Sequence, residues 1–222
     1  LSSEGVREFN LIAQDSSFYG RDLNDGTTLA RLLKELVKID NVKWIRLFYL
    51  YPTYFDDELL EIITKEEKIC KYIDIPLQHI SDSVLRRMHR RDSSQSIKKL
   101  LKKLRNTTPY ITIRTTLMVG FPGETEADFK ELLTFIKAVK FDNMGAFTYS
   151  AQDGTPAARM VDQVTEEIKE NRYHELMAAQ AEISEENNRN LIGVDTEVLV
   201  EELLDDGCGN LLKAEHLSKH LR

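Results

Sequence analysis

Apolar and polar positions alternate between two periods along this chain, and the alternation comes in repeats. Short β-branched or aromatic runs at 8–14 (EFNLIAQ), 44–51 (WIRLFYLY), 72–77 (YIDIPL), 110–119 and 144–149 (MGAFTY) predict strands. Between them, apolar residues recur at helical spacing. Leu29, Leu32, Leu33, Leu36 and Val37 predict one helix, and Leu59, Leu60, Ile62 and Ile63 a second, capped by Asp56 or Asp57. A short helix capped by Ser81 and a longer basic one over 93–105 follow. Thr125 and Asp128 form a variant capping box for a helix over 126–139 that carries Phe129, Leu132, Leu133 and Ile136. Strand then helix, five times without a break, predicts parallel strands with right-handed crossovers and a full or partial β/α barrel.

After Pro156 the pattern changes. Thr165 caps a long helix, with Ile168, Leu176, Met177, Gln180 and Ile183 near one stripe, ending near Gly193. Residues 196–200 (TEVLV) predict a strand opening a new unit, and 205–210 a turn. No clear pattern is legible in 211–222. The expected division is therefore 1–193 and 194–222.

The 222 residues and 41% hydrophobic content allow a substantial core. No apolar run reaches membrane-spanning length, and the first residues do not read as a signal peptide. Two distant cysteines, Cys70 and Cys208, argue against a disulfide framework and suit a reducing cytoplasm. The net charge of −7 disfavours a generic nucleic-acid binder. Arg86, Arg87, Arg90, Arg91, Lys98, Lys99, Lys102 and Lys103 nevertheless form a basic run, read either as a solvated helix face or as a nucleic-acid or ribosome contact.

In a β/α barrel, chemistry sits at the C-terminal strand ends. Those ends read Gln14-Asp15-Ser16-Ser17, then Tyr49, Tyr51 and Pro52, then Gln78-His79, then Gly120-Phe121-Pro122-Gly123-Glu124, and finally Tyr149-Ser150. This polar, aromatic and glycine-bearing ring suits a ligand with amine, hydroxyl and base edges. It contains no Lys and no Gly-x-Gly-x-x-Gly fingerprint. His79 is open to two readings, a helix-initiating residue bonded to a backbone carbonyl or a site residue. Arg114, inside a strand, suits either Asp74 or a ligand carboxylate. Cys70 reads as a core filler.

Several segments, in order, carry a family likeness. They are 5–8 with 11–20 (GVRE, LIAQDSSFYG), 74–79 (DIPLQH), 114–125 (RTTLMVGFPGET) and 145–157 (GAFTYSAQDGTPA). Over about 5–200 the chain resembles the radical S-adenosylmethionine methylthiotransferases. The resemblance implies an α/β fold, an open partial (β/α)₆ barrel lacking its first strand in this stretch, and the start of a TRAM-like β unit in 194–222. It implies S-adenosylmethionine and two [4Fe–4S] clusters. One cluster cleaves the cofactor to a 5′-deoxyadenosyl radical, and the other is associated with sulfur delivery.

By the same resemblance, Gln14, Gln78, His79, Arg114, Gly120, Phe121 and Pro122 are expected around the cofactor. Arg114 is expected at its carboxylate and the Phe121 loop at its adenine. Asp15, Tyr49, Tyr51, Tyr149 and Ser150 are expected at the substrate rim. Gln14-Asp15-Ser16 points to members that modify an aspartate of a small-subunit ribosomal protein, in the cytoplasm and away from any membrane. The alternatives are the tRNA-modifying members and a cluster-free ribosome- or tRNA-binding scaffold. The Cys-x-x-x-Cys-x-x-Cys cluster motif does not occur here. No metal ligand is therefore expected in this stretch, and by itself it is expected to be inactive. Oligomeric state is left open.

Overall fold

A computed structural model describes residues 1–205 and 211–218, with backbone alone beyond Val200. Cys208 lies outside the described residues. Five parallel strands form one sheet in chain order: β1 (Glu8–Leu11), β2 (Trp44–Leu47), β3 (Ile69–Asp74), β4 (Thr112–Val119) and β5 (Asn143–Thr148). Helices α1 (Leu29–Leu36), α2 (Asp57–Lys65), α3 (Asp82–Arg87), α4 (Ser94–Thr107) and α5 (Glu126–Val139) lie in the connections, and α6 (Glu166–Arg189) follows β5. The expected open α/β partial barrel is the architecture found.

The helices start where side chains can satisfy their free N–H groups. Asp56, rather than Asp57, accepts from Leu59 N at 2.9 Å. Ser93 with Ser96, and Thr125 with Asp128, form reciprocal capping boxes for α4 and α5. Ser81 precedes α3 but does not cap it through its side chain. Its hydroxyl goes instead to Asp128 at 2.5 Å, where Ser83 also donates at 2.6 Å. Although partial burial works against ionisation, these hydroxyl donors and those of Thr125 hold the Asp128 carboxyl well below the usual range. Asp128 thus ties the start of α3 to the start of α5.

The two faces of the sheet differ in chemistry. Ile45, Leu47, Ile69, Ile73, Ile113, Leu117 and Val119 point to the helices and form the main core. The register pairs Glu8 with Trp44, Asn10 with Arg46, and Asp74 with Arg114, so these residues share the other face. An ordinary doubly wound sheet is apolar on both sides. Here the second face holds a buried Glu8–Arg46 pair at 2.9 Å and an Asp74–Arg114 pair at 3.0 Å. Charged pairs on a concave face are those of a barrel lumen, not of a helix-covered layer. Cys70 is a buried filler on this face with Trp44 and Tyr72, and Leu199 packs against that group.

Several boundaries differ from the expectations, and β3 lies three residues earlier at both ends than the expected 72–77. β1 and β2 stop at Leu11 and Leu47, three and four residues early. Tyr49 has φ 54°, a left-handed conformation that no strand continues through. Helix α6 ends at Arg189, short of Gly193. Residues 211–222, in which no pattern is legible, include strand β7 (Leu211–Ser218), antiparallel to β6 (Val198–Asp205). Register shifts at Val200/Glu202 and Leu204/Asp205 interrupt the two-residue period that a sequence reading relies on.

Candidate functional site

Strand β4 ends in a turn that the sequence determines residue by residue. Gly120 has φ 73°, and a Cβ there would fall inside the Lys169 side chain of α6. Both restrictions select glycine. Glu124, from the end of the same turn, folds back so that Oε2 accepts from Gly120 N at 2.7 Å and Phe121 N at 3.3 Å. Its Oε1 accepts from Arg172 of α6 at 2.9 Å. The carboxylate is fully buried, and burial pushes its pKa up to about 6 against the Arg172 charge and the two N–H donors. Gly120→Ala is expected to cost on the order of 2–3 kcal/mol in denaturant unfolding, from backbone strain plus the clash. Gly154→Ala, with φ 83° and open space around the position, carries the strain alone and should cost less. Equal losses would remove Lys169 from the account.

His79 sits behind this turn, fully buried. Its Nδ1 accepts from Ser81 N at 2.9 Å, and its Nε2 lies 3.8 Å from Glu124 Oε2, beyond hydrogen-bond range. Burial pushes the imidazole down to about 4, so it is neutral at pH 7. The ring therefore meets backbone as an acceptor from an N–H rather than as the expected partner of a carbonyl, and it is enclosed rather than facing the rim.

The strand ends form two neighbouring patches. In the first, Gln78, Met118 and Phe121 line a cavity of about 330 Å³, with Arg87, Arg90 and Met160 around it. Gln78 has φ 69° and is bridged to β4 through its N–H to Thr116 O at 2.9 Å and its carbonyl to Met118 N at 2.7 Å. Phe121 packs edge-on to Tyr149 at 5.1 Å between centroids, and Lys169 Nζ lies 5.4 Å from the centre of the Tyr149 ring. Gln78 Oε1 and the Tyr149 hydroxyl are buried with no hydrogen-bond partner among the described residues. Pro122 is buried in the turn, and Ser150 is exposed beyond it.

In the second patch, Ser17 joins the β1 and β2 ends. It donates to Asp15 at 2.5 Å and accepts from Tyr51 N at 2.9 Å. The Arg90 guanidinium stacks over Tyr51 at 4.1 Å and donates to Pro76 O at 2.6 Å, joining this patch to the cavity. Burial pushes the Tyr51 hydroxyl above its ordinary value. Tyr49 and Gln14 are exposed at the tips. Arg114 lies about 13 Å below Met118 on the same face of β4, from strand rise. It is about one-third exposed and engaged with Asp74, which also accepts from Tyr49 N at 3.2 Å.

The strand ends alone do not disclose three contributors. Lys169 and Arg172 come from α6, about fifty residues after the turn they brace, and Met160 comes from the loop before it. The absence of lysine from the strand ends therefore does not extend to the assembled rim. A signal is present in α6: Lys169 and Arg172 are three apart and share one face with Leu176, Ala179, Gln180 and Ile183, the buried stripe of the helix.

Two orphaned buried polar atoms beside an aromatic and methionine wall suit a ligand with a flat base and hydrogen-bonding edges, as an adenosyl group has. An iron–sulfur cluster does not fit the described residues. Cys70 stands alone on the inner face, and no group of three or more His, Cys, Asp or Glu side chains among the described residues could hold a metal. No helix among them is long and apolar enough to cross a membrane.

Comparison with known proteins gives a consistent assignment. A ribosomal protein uS12 methylthiotransferase RimO from Pelobacter propionicus is 53% identical over 201 residues, 90% of this chain and 45% of that protein. The protein of the same description from Geobacter sulfurreducens is 51% identical over the same coverage. The chain spans about 45% of the length of these relatives. Among solved structures, the radical SAM enzyme coproporphyrinogen III oxidase (HemN) from Escherichia coli superposes with a TM-score of 0.62 at 18% identity. That match covers 80% of this chain and 41% of the oxidase and concerns the fold alone. The Radical SAM superfamily model matches residues 4–136, well over half of the chain. The chain belongs to the radical SAM superfamily.

Proposed function

We propose that this chain is the S-adenosylmethionine-binding core of a methylthiotransferase that modifies an aspartate of ribosomal protein uS12. The observation that carries the reading is the unpartnered Gln78 Oε1 beside the Phe121 and Met118 wall in one cavity at the strand ends, with Tyr149 packed edge-on against Phe121. The similarity to proteins of that description over 201 residues supports the reaction and the substrate.

When bound, and cleaved with one electron that a [4Fe–4S] cluster would deliver, S-adenosylmethionine would supply a 5′-deoxyadenosyl radical able to abstract a substrate hydrogen. This chain's residues hold it. Phe121 and Met118 offer the base an apolar surface, and Gly120 lets backbone approach closely. Gln78 offers an amide to a polar edge. Arg114, already charged and half-satisfied by Asp74, has further N–H donors for a carboxylate. Pro122 stiffens the turn that presents Phe121, and Gln14 is offered from the exposed tip of the neighbouring patch. His79 acts through the turn it packs behind rather than by touching ligand. Asp15, Tyr49, Tyr51, Tyr149 and Ser150 form the edge that an entering substrate loop meets. The two [4Fe–4S] clusters are assigned to parts of the protein other than the described residues. We further assign 1–193 to the barrel and its trailing helix, and 194–222 to the opening of a TRAM-like unit.

Calorimetric titration with S-adenosylmethionine tests the reading. Phe121→Ala and Arg114→Met should each weaken binding about tenfold, the loss of one charge-assisted bond or one aromatic contact. Unchanged affinity in both would remove the cavity from the assignment. The substrate is tested separately in the full-length protein, reconstituted anaerobically with iron and sulfide. A methylthio group on an aspartate of uS12, read by peptide mass, is the expected product.

A further inference from the structure

The basic residues of α4 take no part in the site above, unlike Arg87 and Arg90 before it. Between residues 82 and 105 stand nine basic side chains and two acidic ones, in a chain whose net charge is −7. The asymmetry is sharpest on α4, which carries Lys98, Lys99, Lys102, Lys103 and Arg105 and no Asp or Glu. Its inner stripe is Ile97, Leu101 and Leu104, all buried. The four lysines are exposed on the opposite side.

A merely solvated helix face usually interleaves signs, because Glu and Lys four apart support the helix and like charges at that spacing weaken it. Here Lys98 and Lys102, and Lys99 and Lys103, are like-charged pairs at that spacing. The flanks are neutralised from neighbouring helices, Lys103 by Asp57 of α2 and Lys98 by Glu131 of α5 at 3.7 Å. Lys99 and Lys102, at the centre, have no acidic partner among the described residues. Nearby, Arg86 and Arg91 are exposed. Among the described residues, Arg91 bonds through its side chain only to the Tyr54 hydroxyl, at 3.1 Å.

We propose that the exposed face of α4, centred on Lys99 and Lys102, is a docking surface for the phosphate backbone of RNA. Charge complementarity carries the choice of partner. Lysines on a helix face are mobile point charges suited to phosphates and impose no planar geometry. A net-negative body repels a polyanion from every other side, so one basic stripe also fixes the orientation of approach. The face lies on the outer helix layer, away from the strand ends. Bound RNA there leaves the cavity open to a protein loop. RNA rather than an acidic protein is chosen because the proposed substrate resides in a ribonucleoprotein; to that extent the inference rests on the proposed function.

The test uses the full-length protein and a fluorescein-labelled, mixed-sequence single-stranded RNA of 30 nucleotides, followed by anisotropy across a salt series. Lys99→Gln/Lys102→Gln keeps good helix formers at solvent positions. It should weaken binding at low salt at least tenfold and lower the slope of log affinity against log salt by about 0.7 per lysine. An unchanged slope means that neither lysine meets a phosphate, and it overturns the proposal. Binding of RNA that the double variant does not alter overturns it too, as does tighter binding of polyglutamate than of RNA. Modification of isolated uS12 is the separating measurement. The double variant should retain it while losing modification of the intact small subunit. If wild type modifies neither, the proposed function fails while the RNA result stands on its own.

Discussion

Arg172→Ala is expected to destabilise the protein by about 3–5 kcal/mol, the usual cost of stranding a buried charge. Glu124 has no exposure, and Arg172 has 8%. Their pairing at 2.9 Å, with a second bond from Arg172 to the Glu124 carbonyl at 3.2 Å, is what permits a carboxylate inside the core. Without the guanidinium, the carboxylate keeps only the N–H donors of Gly120 and Phe121, and its pKa rises further. Chemical denaturation of Arg172→Ala at pH 7 measures the loss. The pair is not expected to be a large net stabiliser, because both charges were taken from water. Arg172→Met with Glu124→Gln, which removes both charges and keeps the volume, should recover most of the loss. If the double variant is as unstable as the single one, geometry imposed on the turn, not charge burial, is the dominant cost. A loss below about 1 kcal/mol in Arg172→Ala would place the pair among ordinary surface contacts.

Much of this arrangement is legible in the amino-acid sequence. The 3.6- and 2-residue periods locate all five parallel strands and their helices, because the core stripe of each element is nearly pure Leu, Ile, Val and Phe. Caps at Asp56, Thr125 and Thr165 are legible because capping is local chemistry. What is illegible is non-local. Ser81 follows a capping pattern, yet its hydroxyl is drawn to Asp128, 47 residues away. His79 at a strand tip reads equally as rim or as core, and its enclosure depends on Glu124 and Ser81. Arg172 and Lys169 reach the turn from a helix that follows the last barrel strand, which no rule of strand ends addresses. The β7 strand escapes notice because its ladder is interrupted by register shifts.

Burial of His79 and Glu124 side by side predicts opposing dependences of stability on pH. Burial lowers His79 from 6.5 to about 4, so the unfolded chain binds its proton first. That contribution is fully present above pH 6.5 and is lost as pH falls through about 4. Burial raises Glu124 from 4.5 to about 6, so the folded chain binds its proton first. Its contribution is greatest below pH 4.5 and is lost as pH rises through about 6. The two overlap between pH 4.5 and 6 and largely cancel there. From these two groups the wild type should therefore show only a shallow loss, about 1–2 kcal/mol between pH 6.5 and 4.

Removing either partner exposes the other. Glu124→Gln should lose about 2 kcal/mol more than wild type on the same acidification, because the lowered His79 then acts unopposed. His79→Gln should lose about 3 kcal/mol less, because the raised Glu124 favours the folded chain in acid. Both are read as differences from wild type in denaturant unfolding at pH 6.5, 5 and 4, so the other carboxylates of the chain drop out. Slopes that shift in the same direction in the two variants would mean that the groups do not titrate as separate neighbours. The turn at Gly120 would then owe its proton balance to some other buried group.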